Sequence, residues 1–201
     1  MFMMKKLAAI FFKYRSYTPI PFVLLMIIFI DATIYSLVIG FFISVTGELI
    51  RLWGVNWAGS ETRTTGNVGG TYLIIKGPFA YVRNPLYVGN ILIYVGLGVM
   101  SYALFPYLQI LGLLFFGFQY YLIIKSEEEF LSSKFGEAFK NYVLNVPRFL
   151  PRITKYVNEN IKQPPFKPEA GIRSERRSLQ ALFGTSLIMI IAWLIKTNNL
   201  L

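Results

Sequence analysis

Polar side chains crowd into a short block, residues 76–89, that lies directly before a long apolar stretch. The block reads Lys-Gly-Pro-Phe-Ala-Tyr-Val-Arg-Asn-Pro-Leu-Tyr-Val-Gly. Asn84 and Pro85 predict a helix start, because Asn is a good N-cap and Pro suits the first helical position. The free N–H groups at such a start attract a carboxylate or a phosphate. The crowding of Arg83 and Tyr87 beside them indicates a binding site, and a turn followed by a capped helix is the open alternative.

A run of three carboxylates, Glu127, Glu128 and Glu129, opens a second polar block that ends at residue 151. Successive residues of a helix are about 100° apart, so at most two of these side chains can face one ligand. The glutamates closely follow Lys125, where a predicted membrane span ends, and we therefore expect them at the membrane depth of Asn84. That proximity indicates one site built from both blocks, and a solvated charged turn is the open alternative.

The sequence contains no cysteine and no histidine. Their absence excludes disulfides, cysteine nucleophiles, Ser-His-Asp triads, and zinc or haem held by histidine. Any catalysis must use carboxylates, Tyr, Lys, Arg, backbone groups, or a cofactor with its own reactivity, and no metal site is predicted.

The composition predicts an all-α, polytopic membrane protein. Only 15% of the 201 residues are charged and 55% are apolar, whereas a water-soluble domain has about a quarter charged residues. A membrane-spanning helix needs about 20 mostly apolar residues. The apolar stretches are 18–53, 85–104, 106–124 and 179–195. The first is long enough for two spans with a turn near 31–36, so we predict five transmembrane helices.

The basic residues test this count, since cytoplasmic loops are rich in Lys and Arg. With the N-terminus inside, four basic residues fall in 1–17, four in 51–84 and eleven in 125–178, which leaves Lys196 alone outside. We therefore expect the N-terminus and both polar blocks on the cytoplasmic side and the C-terminus outside. The formal charge of +10 then reflects this topology and attraction to anionic lipid headgroups. The lipid bilayer is the expected partner, and nucleic acid is not.

By its length the chain, 1–201, is expected to form one domain. We expect a membrane-surface segment with an amphipathic helix at 1–17, a core with both polar blocks at 18–152, and a loop followed by the last span at 153–201. Pro and Gly residues indicate that the loop covers 163–177. Gly66, Gly69 and Gly70 lack the spacing of a dinucleotide fingerprint and are interpreted as turns.

Taken together, the two blocks resemble the integral-membrane methyltransferases, namely the isoprenylcysteine carboxyl methyltransferases and the phospholipid (phosphatidylethanolamine) N-methyltransferases. The resemblance covers about residues 35–152. The matching residues are Gly77-Pro78-Phe79, Tyr81-Val82-Arg83-Asn84-Pro85-Leu86-Tyr87-Val88-Gly89, Glu127-Glu128, Leu131, Phe135-Gly136, Phe139, Tyr142 and Val146-Pro147-Arg148-Phe149-Leu150-Pro151. The resemblance implies S-adenosylmethionine as the methyl donor, bound in a cytosolic-face pocket between the blocks. It also implies a lipid-like acceptor that enters from the bilayer.

The resemblance further implies roles for individual residues. Catalytic roles would fall on Arg83, Asn84, Tyr87 and Glu128. The cofactor would contact Lys76, Gly77, Pro78, Tyr81, Val82, Asn84, Pro85, Tyr87, Glu127 and Glu128. The acceptor would contact Arg83, Tyr142 and Arg148. Within these sets, Glu127 or Glu128 would pair with the amino or ribose groups of the cofactor. Arg83 and Arg148 would hold a carboxylate or a headgroup phosphate.

One position departs from part of the family. The isoprenylcysteine branch has Arg-His-Pro where this chain has Arg83-Asn84-Pro85, whereas the phosphatidylethanolamine branch resembles the Asn-Pro-x-Tyr-x-Gly of residues 84–89. Asn can replace one hydrogen-bonding edge of His but cannot titrate. The departure slightly favours a phospholipid amine over an isoprenylcysteine carboxylate as acceptor. A non-catalytic membrane adaptor or transporter and a sterol-reductase-like oxidoreductase are the alternative functions.

Overall fold

The structure is a computed structural model that describes residues 2–59 and 71–198. All regular secondary structure in these two ranges is helical, which confirms the predicted all-α class. The α-helices are α1 (Phe2–Tyr14), α2 (Ile20–Ile28), α3 (Ile34–Ala58), α4 (Pro85–Ser101), α5 (Tyr107–Asn145) and α6 (Pro168–Thr197). A short 3-10 helix, Gly77–Ala80, precedes α4.

Three helices within the described ranges are long and apolar enough to cross a membrane, and they support an integral membrane protein. They comprise α3, α5 and the part Gly171–Thr197 of α6, and α4 is a shorter apolar helix. Helix α2 has nine residues, which corresponds to about 14 Å of helix against a hydrocarbon core of about 30 Å. The count of five spans therefore stays a prediction.

The break predicted near residues 31–36 lies between α2 and α3. The chain is not helical at residues 30–33, and α3 begins after Thr33. The Thr33 hydroxyl accepts a 3.1 Å hydrogen bond from the Ser36 N–H, while Ser36 Oγ accepts one of 2.9 Å from the Thr33 N–H. Side-chain caps of this kind satisfy N–H groups that the first turn of a helix leaves free.

The chain divides into two compact units. The first unit comprises Met1–Lys13, Ile50–Val88 and Gln119–Glu175, and the second comprises Tyr14–Leu49, Gly89–Phe118 and Arg176–Leu201. Every residue that the sequence assigns to the site belongs to the first unit. Its apolar cluster includes Leu73, Ile75, Phe139, Tyr142 and Val146.

In the second unit, glycines bring α3 and α4 into backbone contact. A Cβ atom added at Gly40 would lie 2.4 Å from the carbonyl oxygen of Gly96, and one added at Gly96 would lie 2.2 Å from Ser44 Oγ. Ser44 Oγ also donates a 3.2 Å hydrogen bond to the Ile93 carbonyl. Small residues and interhelical hydrogen bonds are the usual means by which membrane helices associate, and no larger side chain fits at these two glycines.

The predicted loop 163–177 is wrong from residue 168 onward, because α6 begins at Pro168. Pro at the first helical position and Glu169 in the first turn both favour a helix start, and these signals outweigh the helix-breaking tendency of Gly171. Gly171 is required by packing, since its Cβ would lie 1.7 Å from Asn56 Oδ1. The turns predicted at Gly66, Gly69 and Gly70 lie outside the described residues. Helix α1 covers most of the segment 1–17, whose location at the membrane surface stays a prediction.

Candidate functional site

The first polar block packs against the end of α3 through Gly77. The backbone of Gly77 has a φ of +61°, and a Cβ atom at this position would lie 2.1 Å from Cδ1 of Trp57. Only glycine adopts this conformation freely, so the indole ring of Trp57 can lie against the chain here. Lys76 Nζ lies 5.6 Å from the centroid of the same ring, a favourable cation–π distance. This contact fixes the start of the block that leads to α4.

Arg83 joins the first block to the second. Its Nη2 atom lies 3.1 Å from Oε1 of Glu128, and its Nε donates to the same oxygen at 3.2 Å. Its Nη1 donates to the carbonyl of Val143 at 3.0 Å and also to the carbonyl of Val146. The Arg83 side chain is only 11% exposed. Its donors are therefore directed by the protein and held in place before any ligand binds.

Arg148 binds the same carboxylate from the other end of the second block. Its Nε donates to Oε1 of Glu128 at 3.3 Å, and its Nη2 forms a salt bridge with Oε2. One carboxylate thus pairs with two guanidinium groups, and the three ionised side chains of Arg83, Glu128 and Arg148 together have a net charge of +1. Such a cluster attracts an anionic group, because one unit of positive charge is not neutralised by its own members.

Tyr87 binds the neighbouring glutamate. The Tyr87 hydroxyl donates a 2.7 Å hydrogen bond to Oε1 of Glu127. The ring of Tyr87 lies 4.8 Å, centroid to centroid, from the ring of Tyr120. Because Tyr120 is only 1% exposed, it supports the Tyr87 ring from the buried side of α5. The carboxylate of Glu127 and the phenol of Tyr87 are thus held together on adjoining helices of the first unit.

Asn84 binds the second block by its amide. Its Nδ2 donates a 3.2 Å hydrogen bond to the main-chain carbonyl of Arg148. Its own carbonyl accepts hydrogen bonds from the N–H groups of Tyr87 and Val88 at 3.2 and 3.1 Å. Helix α4 begins at Pro85, as the sequence predicts. Asn84 therefore lies at the start of α4 and also contacts Arg148, one of the two arginines that bind Glu128.

A closing segment, which we define as residues 146–157, runs alongside the first block. The Arg83 N–H donates to the Pro147 carbonyl at 2.8 Å, the Arg152 N–H donates to the Tyr81 carbonyl at 3.0 Å, and the Tyr156 N–H donates to the Ala80 carbonyl at 2.9 Å. These three backbone hydrogen bonds hold the closing segment against the residues that precede α4. They also hold Arg148 within reach of Glu128, which lies 20 residues earlier in the chain.

The structure brings six of the predicted residues into this cluster and assigns the others different surroundings. The clustered residues are Arg83, Asn84, Tyr87, Glu127, Glu128 and Arg148. Tyr81 lies beside Trp53 and accepts a backbone hydrogen bond from Arg152. Pro78, Val82 and Pro85 are buried and shape the chain around them. Lys76 and Gly77 lie at Trp57. Tyr142 is 2% exposed and donates a 2.7 Å hydrogen bond to the Phe79 carbonyl, and its predicted contact with the acceptor stays a prediction.

Three aromatic residues that were not predicted, Tyr120, Trp57 and Trp53, lie beside the predicted residues. Tyr120 lies seven residues before Glu127 and so falls on the same face of a helix, which is a signal that the spacing contains. The ring of Trp53 lies 6.1 Å from the ring of Tyr81, centroid to centroid. No local pattern indicates the contacts of Trp53 and Trp57, because they depend on how α3 packs in the first unit.

Comparison with known proteins gives one family and two curated relatives. The sequence pattern of the family described as phospholipid methyltransferase matches residues 35–138, a range that includes the first block and the three glutamates. The chain is 34% identical over 110 residues to the cobalt-zinc-cadmium resistance protein CzcN of Cupriavidus metallidurans, covering 55% of this chain and 46% of that protein. It is 37% identical over 90 residues to the nickel-cobalt-cadmium resistance protein NccN of Alcaligenes xylosoxydans xylosoxydans, covering 45% and 41%. The matched region spans less than half the length of either relative, and no solved structure matches.

Proposed function

Because the chain belongs to the phospholipid methyltransferase family, we propose that it transfers a methyl group from S-adenosylmethionine to a lipid-like acceptor. The observation that carries the proposal is the cluster in which Arg83 and Arg148 share Glu128 while Tyr87 binds Glu127. A sterol-reductase-like or non-catalytic membrane role, which the sequence also allowed, has no comparable support.

The side chains of the cluster fit the chemical groups of S-adenosylmethionine. Its carboxylate matches the guanidinium groups of Arg83 and Arg148, which form strong charge-assisted hydrogen bonds with such groups. Its ammonium and ribose hydroxyls match the oxygens of Glu127 and Glu128. Its sulfonium and adenine match the faces of aromatic rings, such as Tyr87, which attract cations and stack with flat groups. Each group thus has a counterpart of opposite charge or suitable shape.

The protein residues would contribute orientation. When bound, the cofactor supplies a methyl group already activated by the sulfonium, so transfer needs no protein nucleophile. Holding donor and acceptor in the geometry of attack can lower the barrier by roughly 7–11 kcal/mol in favourable cases. Arg83, held by Glu128 and two backbone carbonyls, would fix the donor end. Where Glu128 pairs with the ammonium or ribose of the cofactor, Glu127, paired with Tyr87, is the candidate to take the proton that an ammonium headgroup must lose before attack.

For the acceptor we propose a phospholipid amine headgroup, with an isoprenylcysteine carboxylate as the second candidate. The support is Asn84, which occupies the position where the isoprenylcysteine branch has His. Neither relative's name refers to a lipid, and both names refer to metal resistance. We propose no metal site for this chain, because it has neither His nor Cys, and no group of three Asp or Glu that could hold an ion occurs among the described residues.

Binding and transfer can be measured separately on the purified protein in detergent. In calorimetry we expect S-adenosylmethionine to bind and a nicotinamide dinucleotide not to bind. With a methyl-labelled donor and a total lipid extract, we expect label in a lipid whose mass identifies the acceptor. Arg148→Gln should weaken donor binding, and Lys140→Gln, a change at an exposed residue outside the cluster, should not. Binding of the dinucleotide, or no binding of S-adenosylmethionine by a folded protein, would reject the proposal.

A further inference from the structure

The closing segment exposes large apolar side chains at its surface. Leu150 is 81% exposed, Ile153 is 97% exposed and Val157 is 61% exposed. Single exposed apolar residues are common on proteins, but several close together mark an interaction surface. The three residues lie within eight positions of chain, in a stretch without regular helix, so the segment as a whole turns an apolar surface outward.

This surface is built on a fixed backbone. The hydrogen bonds from the Arg152 N–H to the Tyr81 carbonyl and from the Tyr156 N–H to the Ala80 carbonyl are 3.0 and 2.9 Å long. Arg152 also donates from its guanidinium to the Asn145 carbonyl at 2.8 Å and to Thr154 Oγ1 at 3.2 Å. Because these contacts fix the segment on both sides of Ile153, its apolar side chains cannot turn inward without breaking backbone hydrogen bonds.

The charges of the segment are all of one sign. Between Lys140 and Glu159 the charged residues are Arg148, Arg152 and Lys155. Apolar side chains combined with basic ones are typical of segments that lie in the headgroup layer of a membrane, where the apolar groups enter the acyl boundary and the basic groups bind anionic headgroups. A second copy of the chain would place these like charges against one another, and that arrangement is unfavourable.

The contact of the closing segment with the residues before α4 agrees with a location in the headgroup layer. Its residue Pro147 accepts a 2.8 Å hydrogen bond from the Arg83 N–H. The apolar helix α4 begins at Pro85, immediately after this contact. The segment therefore lies at the end of an apolar helix, where hydrocarbon gives way to headgroups in a membrane.

We propose that the closing segment is an interfacial anchor, in which Leu150, Ile153 and Val157 insert between the lipids of an anionic membrane surface beside the site. Arg152 and Lys155 would lie at the level of the lipid phosphates. The anchor holds the first polar block at headgroup depth. This inference does not depend on methyl transfer, because it concerns where the segment lies and not which reaction the cluster performs.

The test measures the depth of single positions, using the full chain, which has no native cysteine. Leu150→Cys, Ile153→Cys and Val157→Cys are labelled with a small fluorophore and reconstituted into vesicles of phosphatidylcholine and phosphatidylglycerol in equal parts. Asn160→Cys, at an exposed polar position beyond the closing segment, is the matched control. All four positions are exposed, so we expect the thermal unfolding of each variant to match that of the parent.

We expect phospholipids brominated on the acyl chain to quench the labels at 150, 153 and 157. Iodide in the water should quench these three labels several-fold less than it quenches the label at 160. Lys155→Gln should reduce this difference, as should vesicles of phosphatidylcholine alone. Equal iodide quenching at 153 and 160 would overturn the proposal. Protection from iodide without lipid quenching, growing with protein concentration, would indicate an interface between copies and would also overturn it.

Discussion

Arg83 and Glu128 form an ion pair between the two polar blocks, with Nη2 of the arginine 3.1 Å from Oε1 of the glutamate. Glu128 is also bound by Arg148, so a single carboxylate sets the direction of two guanidinium groups. The family resemblance implied that Glu128 or Glu127 pairs with the amino or ribose groups of a cofactor. The structure adds a second role for Glu128, because it orients the two guanidinium groups to which a ligand would bind.

Replacing the charge of Glu128 should therefore weaken binding of S-adenosylmethionine. We expect Glu128→Gln to cost about 1–3 kcal/mol of binding free energy, the amount typical of a charge-assisted hydrogen bond, as measured by calorimetry. Glu129→Gln is the control, since Glu129 is exposed and lies about 100° away around the helix. If both changes weaken binding equally, or if neither does, Glu128 has no specific part in binding the cofactor.

A second prediction concerns the ion pair between Arg51 and Glu175, which joins α3 to α6 within the first unit. Nη2 of Arg51 lies 2.6 Å from Oε2 of Glu175, and the glutamate side chain is only 1% exposed. Removing one partner of a buried pair costs about 3–5 kcal/mol, because the remaining charge stays buried. We expect Glu175→Gln to lower the unfolding temperature in detergent strongly. Glu169→Gln, at an exposed position of the same helix, should leave it nearly unchanged, and similar shifts for both would contradict the prediction.

The sequence predicted best those features that depend on neighbouring residues. Asn84 and Pro85 indicated the start of α4, and the length of the apolar stretch 18–53 indicated a break near residues 31–36, before α3. The same local logic failed at residues 163–177, where proline and glycine indicated a loop. Pro168 and Glu169 are local signals of a helix start that prevail over the glycine, and Gly171 lies inside α6 where a side chain would meet Asn56, a contact that no local pattern contains.

The contacts of the candidate site also divide into those that the sequence indicated and those that it did not. The two motifs indicated which residues would meet, but not that Glu128 would bind two arginines or that Tyr142 would bind the Phe79 carbonyl. The contact of Arg148 with Glu128 follows from the path of the closing segment, which is fixed by backbone hydrogen bonds such as that from the Arg83 N–H to the Pro147 carbonyl. Backbone hydrogen bonds outside helices carry no side-chain signature, and the sequence therefore does not reveal them.

A third prediction uses two glycines with the same backbone conformation. Gly77 and Gly59 have φ values of +61° and +62°. A Cβ atom at Gly77 would lie 2.1 Å from Trp57, whereas one at Gly59 would have no neighbour within 4 Å among the described residues. Alanine at either site should cost about 1–2 kcal/mol in backbone strain. Gly77→Ala should cost about 1–3 kcal/mol more from overpacking. Thermal unfolding compares the two, and equal losses would show that the Trp57 contact is unimportant.

A fourth prediction concerns the side of the membrane on which the site lies. Lys196 Nζ lies 3.0 Å from Oδ1 of Asp31 and donates to the Ile30 carbonyl at 2.8 Å. The basic-residue pattern predicts that these residues are outside and that Lys140 is inside. With a membrane-impermeant thiol reagent on intact cells, we expect Asn198→Cys to be labelled and Lys140→Cys to be labelled only after lysis. Labelling of Lys140→Cys in intact cells would reverse the topology.

The last prediction concerns Asn84, where a structural and a functional role make different demands on one side chain. Its amide donates to the Arg148 carbonyl at 3.2 Å, so it helps to hold the arginine that shares Glu128. If Asn84 were only a helix cap, Asn84→Asp and Asn84→Ser would be nearly neutral, because all three residues cap helices comparably. Asn84→Ala would then cost about 1 kcal/mol of stability with no specific loss of binding.

An ionised aspartate, in contrast, offers only acceptors. It would face the Arg148 carbonyl without a donor and would add negative charge beside the carboxylate of a bound donor. We therefore expect Asn84→Asp to lose about 1–3 kcal/mol of S-adenosylmethionine binding and, because the hydrogen bond to the Arg148 carbonyl is lost, to unfold at a lower temperature than the parent while still being folded at the temperature of the binding measurement. Asn84→His should retain binding, because a histidine N–H can still donate. Calorimetry and thermal unfolding on the same preparations make the distinction, and full binding and methylation by Asn84→Asp would show that Asn84 acts as a cap alone.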